Sequence, residues 1–160
     1  MNRQINGIDH IIDNVYLGNI DGALNVDNLK YEGISKILSV TDVGAPHYKK
    51  EDNFIQKVIK VIDVPNQNII KFFVECFKFI IGEEKVLVHC MSGASRSAAI
   101  VIAYLMWFHR MPYQDAFNFV SRKRWCVLPN SGFRFQLKQF EKLLKENNYD
   151  LSLIYGYNVF

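Results

Sequence analysis

The feature that most constrains this chain is a short apolar run followed by a loop of small residues and a long apolar segment. Residues 85–89 read Lys-Val-Leu-Val-His, which is the pattern of a strand buried on both faces of a sheet. Residues 90–95 contain one glycine and several small side chains, and they predict a tight loop. Residues 96–109 are apolar on nearly every side and predict a buried helix that ends before Pro112. This order of elements favours an α/β fold.

Strand-like and helix-like segments alternate along the rest of the sequence. Strands are predicted at residues 8–17, with a break near Asp13 and Asn14, and at residues 34–40 and 54–62; helices are predicted at residues 22–31, 68–81, 113–122 and 130–146. The chain has 160 residues, which is the length of one ordinary domain. We therefore predict a single α/β domain with a central, mostly parallel sheet flanked by helices.

Composition and charge exclude several classes of protein. The net charge of +3 is too small to predict nucleic-acid binding, but it is compatible with an anionic substrate. The three cysteines, a small and odd number, do not predict a disulfide framework and indicate a reducing compartment. The longest apolar run, residues 98–108, is too short to cross a bilayer, and the N-terminus has no apolar signal segment. We expect a protein of the cytoplasm, the nucleus or both, with no membrane partner.

The loop after the predicted central strand has the pattern H-C-x-x-G-x-x-R-S, from His89 to Ser97. A strand, a tight loop and a helix in this order aim backbone N–H groups at an anion. The same N–H groups favour the thiolate form of Cys90, which is the nucleophilic form. Arg96 is placed to hold two phosphate oxygens bidentately, and Gly93 gives the turn backbone freedom. These positions predict a phosphate-binding loop with a cysteine nucleophile.

The remaining positions of the motif have supporting roles. Ser97 can donate a hydrogen bond to the sulfur, and we expect His89 to fix the loop through hydrogen bonds rather than to titrate during catalysis. The alternative interpretation of Cys90 is an inert buried thiol, which the neighbouring Arg96 disfavours. The predicted phosphate-binding loop consists of Met91, Ser92, Gly93, Ala94, Ser95 and Arg96.

Residues 88–97, together with the apolar residues 101–106, resemble the signature loop and following helix of the cysteine-dependent protein tyrosine phosphatases, in particular their dual-specificity branch. Three other segments are similar to that branch: residues 14–18 to its first strand, residues 33–41 to its second, and residues 129–141 to its last helix. The resemblance covers about residues 8–146 and is to the small, atypical members. It leaves an aromatic tail, residues 147–160, without a predicted place.

The resemblance implies hydrolysis of phosphotyrosine and of phosphoserine or phosphothreonine through a phosphocysteine. In the family a carboxylic acid on a separate loop protonates the leaving oxygen and then activates water. That acid lies shortly before the long helix, where Asp63 is the only carboxylate between Asp52 and Glu75. Pro65 departs from the commoner family pattern. We expect Asp63 to be the acid, Asn130 to cap the last helix and brace the loop, and no metal or other cofactor to be needed.

Alternative functions stay open at this point. The chain can be a catalytically silent phosphoprotein-binding module of the same fold, although such relatives usually lose the cysteine or the arginine. It can also act on a phosphate ester that is not a protein, although the neutral side chains of the loop argue against highly charged inositides. We expect a phosphoprotein as the partner, no nucleic acid, and a monomer or weak dimer.

Two other features have a structural and a functional interpretation. Cys76 and Cys126 are expected to be small apolar residues of the core, and the alternative is a disulfide with Cys90 after oxidation. The basic run at residues 122–124 is expected to be solvated at a helix end. The alternative for this run is recruitment of an acidic substrate.

Overall fold

Five strands form one sheet at the centre of the structure, a computed structural model that describes residues 7–160. The strands are β1 (Ile8–Ile12), β2 (Val15–Gly18), β3 (Lys36–Val40), β4 (Ile55–Ile59) and β5 (Val86–His89). Their order is β1-β2-β5-β3-β4, and β1 runs antiparallel to β2 while the other three pairs are parallel. The predicted mostly parallel sheet is confirmed, and the strand that precedes the H-C-x-x-G-x-x-R-S loop is its middle strand.

Helices cover both faces of this sheet. They are α1 (Ile20–Leu24), α2 (Val26–Tyr31), α3 (Phe73–Ile80), α4 (Arg96–Phe108), α5 (Tyr113–Lys123), α6 (Ser131–Glu146) and α7 (Leu151–Tyr155). The larger core lies between the sheet and helices α3 to α7, and a smaller core lies under α1 and α2. Every residue of α4 from Arg96 to Met106 is buried, as its all-round apolar sequence predicts.

Two predicted helices differ in their ends. Residues 22–31 form two short helices rather than one, because the Asn25 side chain accepts a hydrogen bond from the Asn28 N–H and starts a second helix there. The helix predicted at residues 68–81 begins with a 3₁₀ turn at Ile70–Phe72 and becomes α-helical only at Phe73.

Cys76 lies in helix α3 and is fully buried. Burial raises the pKa of its thiol to about 12, and the prediction of a core residue is confirmed.

The aromatic tail packs on its own domain. Leu151 and Val159 are buried in the larger core. The ring of Phe160 stacks on that of Trp107, with 5.7 Å between the ring centroids. Within residues 7–160, no helix is both long and apolar enough to cross a membrane.

Candidate active site

The loop between β5 and α4 lies at the carboxyl end of the central strand, and its carbonyl groups all have donors. The Cys90 carbonyl accepts from the His89 ring, and the Ser95 carbonyl accepts from Ala99 N–H inside α4. The other four carbonyls accept from flanking segments. The Met91 carbonyl accepts from Ile20 N–H at 3.0 Å, and the Ala94 carbonyl accepts from Leu128 N–H at 2.8 Å. The Ser92 and Gly93 carbonyls accept from the Arg124 guanidinium at 2.9 and 3.0 Å. Hydrogen bonds therefore fix every carbonyl of the loop.

Most amide N–H groups of the loop, in contrast to its carbonyls, lack a hydrogen-bond partner within residues 7–160. Within residues 7–160, the N–H groups of residues 91, 92 and 94–96 donate to no other group. Gly93 N–H donates to the Cys90 sulfur at 3.3 Å. Gly93 has φ +67°, and an added Cβ would collide with the Gly18 carbonyl, so only glycine fits here. A set of unpaired N–H groups in a tight loop at a helix start is a binding site for an anion such as phosphate.

The Cys90 thiol lies at the base of this loop. It is 2% exposed, and its sulfur is 3.0 Å from the Ser97 hydroxyl oxygen. With the Gly93 N–H, the sulfur has two neighbours that can donate to it. Donors of this kind stabilise a thiolate over a thiol. The arrangement that the motif predicts for Cys90, Gly93 and Ser97 is therefore present.

His89 is buried beneath the loop in a neutral form. Burial lowers the pKa of its imidazole to about 4. Its Nδ1 lies 3.2 Å from the Cys90 carbonyl, which can only accept, so Nδ1 carries the proton. Its Nε2 then accepts from the Ser39 hydroxyl on β3 at 2.7 Å, and Gln56 on β4 donates to Ser39 in turn. These bonds hold the loop to two neighbouring strands, as a structural role for His89 requires.

Arg96 is oriented by a carboxylate that the sequence did not single out. Its Nη1 donates to Asp42 at 2.7 Å and to the Val61 carbonyl at 3.1 Å. The hydrogen bond from Arg96 holds the pKa of Asp42 below its usual range. The Arg96 Nε is buried and has no partner within residues 7–160. One edge of the guanidinium is thus fixed, and a donor remains for a phosphate oxygen.

Asp63 and Asn130 meet at the loop through Ser95. The Asp63 carboxylate accepts from the Ser95 hydroxyl at 2.6 Å and from the Asn130 amide at 2.9 Å. Asn130 N–H donates to the Ser95 hydroxyl, and the Asn130 side chain caps α6 by accepting from Phe133 N–H. Asp63 itself is exposed to solvent. The structure therefore brings the predicted acid next to the predicted phosphate-binding loop.

Helix α6 supports the segment that carries Asp63. Gly132 packs so closely on Pro65 that any side chain at position 132 would overlap the Pro65 carbonyl. One helical turn later, the Gln136 side chain donates to the Gln67 carbonyl and accepts from Ile69 N–H. Pro65, the departure from the commoner family pattern, is thus part of a contact that fixes the Asp63 loop on α6.

Arg124 corrects the interpretation of the basic run. The run was expected to be solvated, but Arg124 is 7% exposed and lies behind the loop. Besides the Ser92 and Gly93 carbonyls, it contacts the Asp9 carboxylate on β1 at 3.0 Å. Arg122 and Lys123 are exposed, as predicted. The sequence signal for this buried role is the position of Arg124 directly after the end of α5, because a long side chain there can turn back towards the sheet.

Known proteins share this architecture. A profile of the dual specificity phosphatase catalytic domain matches residues 15–143. The chain belongs to the dual specificity phosphatase family. It is accordingly a protein phosphatase, a hydrolase of phosphoric monoesters. The matched range includes the loop, Asp42, Asp63 and Arg124, while Asp9 lies before it.

Individual members of the family are similar over most of their length. Dual specificity protein phosphatase 1B of Arabidopsis thaliana is 39% identical over 144 residues, which cover 88% of this chain and 85% of that protein. Dual specificity protein phosphatase 22 of Homo sapiens is 37% identical over 141 residues, covering 86% of this chain and 75% of that protein. The crystal structure of a human tyrosine phosphatase-like serine/threonine/tyrosine-interacting protein has a TM-score of 0.81 at 35% identity, covering 86% of this chain and 97% of that chain.

Proposed function

We propose that this dual specificity phosphatase hydrolyses phosphotyrosine and phosphoserine or phosphothreonine through a phosphocysteine on Cys90. Arg96 binds the phosphate, and Asp63 is the general acid and then the general base. The observation that carries the proposal is the meeting of three groups at one loop: a sulfur with two potential donors, a set of unpaired amide N–H groups, and a carboxyl held by Ser95 and Asn130.

In the first step the Cys90 thiolate attacks phosphorus. An S–P bond forms and the bond from phosphorus to the ester oxygen breaks. The proton of the Asp63 carboxyl goes to that leaving oxygen, so the product is a neutral alcohol or phenol. The loop N–H groups and the guanidinium of Arg96 stabilise the charge that builds up on the other phosphate oxygens. No metal ion is required for this stabilisation.

In the second step water attacks the phosphocysteine. The Asp63 carboxylate takes a proton from the water, whose oxygen bonds to phosphorus while the S–P bond breaks. Inorganic phosphate leaves and the Cys90 thiolate is regenerated. The Ser97 hydroxyl, 3.0 Å from the sulfur, stabilises this thiolate as the leaving group.

Hydrolysis of p-nitrophenyl phosphate in the presence of EDTA and a thiol reductant tests the proposal. We expect turnover by the unmodified chain and none by Cys90→Ser, which keeps the loop and should still bind inorganic phosphate. Cys76→Ala is the matched control, because it removes another buried thiol outside the site and should retain turnover. Turnover by Cys90→Ser near that of the unmodified chain would exclude Cys90 as the nucleophile.

The same experiment separates the proposal from a phosphoprotein-binding function. That alternative follows from the similarity of the chain to a human phosphatase-like interacting protein. A fully reduced, folded chain that binds phosphate but never turns it over would favour binding alone. The intact set of Cys90, Arg96 and Asp63 favours catalysis.

A further inference from the structure

A cavity lies directly beside the phosphate-binding loop. Its volume is about 420 Å³. We call it the rim pocket; its lining includes Asn19 and Asp21 from the start of α1, Ser92 and Ala94 from the loop, and Arg124 and Trp125 from the segment after α5. Because two residues of the loop line it, a side chain next to a phosphorylated residue bound in the loop would lie over this pocket.

The cation of the rim pocket is not available to a ligand. The Arg124 side chain is only 8% exposed. Its Nε and Nη2 donate to the Gly93 and Ser92 carbonyls, and its Nη1 donates to Asp9. The Asp9 carboxylate neutralises the guanidinium charge at 3.0 Å. Among residues 7–160, a second phosphate or an acidic side chain would therefore find no free positive charge in the lining of this pocket.

The other charged and aromatic side chains that line the rim pocket favour a positively charged ligand. Asp21 is exposed, and within residues 7–160 its carboxylate makes no ion pair or side-chain hydrogen bond. Trp125 is 68% exposed, and the face of an indole ring attracts cations more strongly than other aromatic rings do. The neighbouring cations are directed elsewhere: Lys123 lies over the Phe119 ring, and Arg122 lines a different cavity beside Asp115.

We propose that the rim pocket binds an arginine side chain of the substrate close in sequence to the phosphorylated residue. Its guanidinium would stack on Trp125 and pair with Asp21, which is the combination of planar stacking and carboxylate contact that suits arginine better than lysine. This inference rests on the proposed function, because it needs a phosphopeptide bound in the loop. It makes this enzyme select basic rather than doubly phosphorylated sequences.

An arginine scan of phosphotyrosine peptides tests the proposal. One arginine is placed in turn at each position flanking the phosphotyrosine of an otherwise neutral peptide, and kcat/KM is measured. At one or two adjacent positions we expect kcat/KM to rise by about threefold to tenfold over the alanine peptide, the effect of an exposed cation–π contact and ion pair together. Asp21→Asn and Trp125→Ala should each remove most of this increase. Asp27→Asn and Tyr31→Ala, which change an exposed acid and an exposed aromatic ring of α2, are the matched controls and should retain it.

Hydrolysis of p-nitrophenyl phosphate, which has no flanking residue, is measured in parallel for every variant. It should stay unchanged in the Asp21 and Trp125 variants. A flat arginine scan with normal p-nitrophenyl phosphate turnover would overturn the rim pocket proposal and leave the proposed function intact. A preference for glutamate or for a second phosphate would overturn it as well, as would an arginine preference that survives both substitutions. Absence of p-nitrophenyl phosphate turnover in the unmodified chain would instead contradict the proposed function.

Discussion

Replacing Arg124 with methionine tests whether the groups behind the phosphate-binding loop determine its shape. Methionine keeps most of the length of the side chain but removes the charge and the N–H groups. The Ser92 and Gly93 carbonyls would lose their donors at 2.9 and 3.0 Å, and Asp9 would lose its cation. The change therefore acts both on the stability of the domain and on the loop itself.

The size of the stability effect follows from these contacts. Removing one partner from a buried ion pair costs about 3–5 kcal/mol, and hydrogen bonds from a charged group contribute about 1.5–3 kcal/mol each. The Asp9 side chain is 19% exposed, so water can partly hydrate it after the change. We therefore expect the free energy of unfolding to fall by about 3 kcal/mol, near the lower end of this range. Urea unfolding measures this value.

The effect on the loop is measured separately, under conditions where the variant is folded. Without their donors the two carbonyls can rotate, and the amide N–H groups then no longer converge on one anion. We expect inhibition by inorganic phosphate or orthovanadate to weaken by about tenfold, which corresponds to about 1.4 kcal/mol. Arg122→Met, an exposed neighbour, should change the free energy of unfolding by less than about 0.5 kcal/mol and leave inhibition unchanged.

A double variant separates the two effects. Asp9→Asn in addition to Arg124→Met removes the unpaired carboxylate and should restore part of the stability. It should not restore phosphate affinity, because the carbonyls still lack donors. If Arg124→Met lowered stability but bound phosphate as tightly as the unmodified chain, Arg124 would be a structural residue only. If its stability matched that of Arg122→Met, the buried ion pair would contribute nothing.

Three further predictions concern residues on the other side of the loop. Asp63→Asn should slow hydrolysis of alkyl phosphates far more than of p-nitrophenyl phosphate, because only the poor leaving group needs the proton; equal losses on both substrates would point to another acid. Asp42→Asn should lower kcat/KM on the order of tenfold and weaken phosphate inhibition, since Arg96 loses its charged partner; an unchanged inhibition constant would contradict this orienting role. Burial lowers the pKa of His89 from 6.5 to about 4, so the unfolded chain binds an additional proton between these values. The free energy of unfolding is therefore lower by about 3 kcal/mol at pH 4 than above pH 6.5, because the imidazole of the unfolded chain takes up its proton first. Urea unfolding at neutral and acidic pH should show a flatter dependence for His89→Gln, and parallel curves would refute the assignment.

The central part of the site could be predicted because its signals are local. Cys90, Gly93 and Arg96 lie within seven consecutive residues, between a strand and a helix that their apolar patterns identify. The Asn130 cap was predictable for the same reason, since a helix start needs only a side chain and the next turn of backbone. Asp63 was found through the family resemblance and the lack of another carboxylate nearby.

The groups that orient these residues could not be predicted in the same way. Asp42 and Arg96 are 54 residues apart in the sequence, and Asp9 and Arg124 are 115 residues apart. Which of the loops meet at the carboxyl edge of the sheet depends on the strand order, and the strand order is not visible in any one segment. A basic run at a helix end is usually solvated, and only the position of β1 beside the loop explains why Arg124 is buried.

The hydrogen bonds that the loop carbonyls accept link the short motif to the rest of the domain. A loop that directs several N–H groups towards one anion must direct its carbonyls away from it, and a buried carbonyl without a donor is costly. Here the donors come from widely separated segments: Ile20 after β2, the Arg124 side chain and Leu128 before α6, and the ring of His89. The motif supplies the reacting groups, but these segments hold them in place. Substitution of Arg124, or Leu128→Pro, which removes the backbone N–H that donates to the Ala94 carbonyl, should therefore affect phosphate affinity although neither residue belongs to the motif.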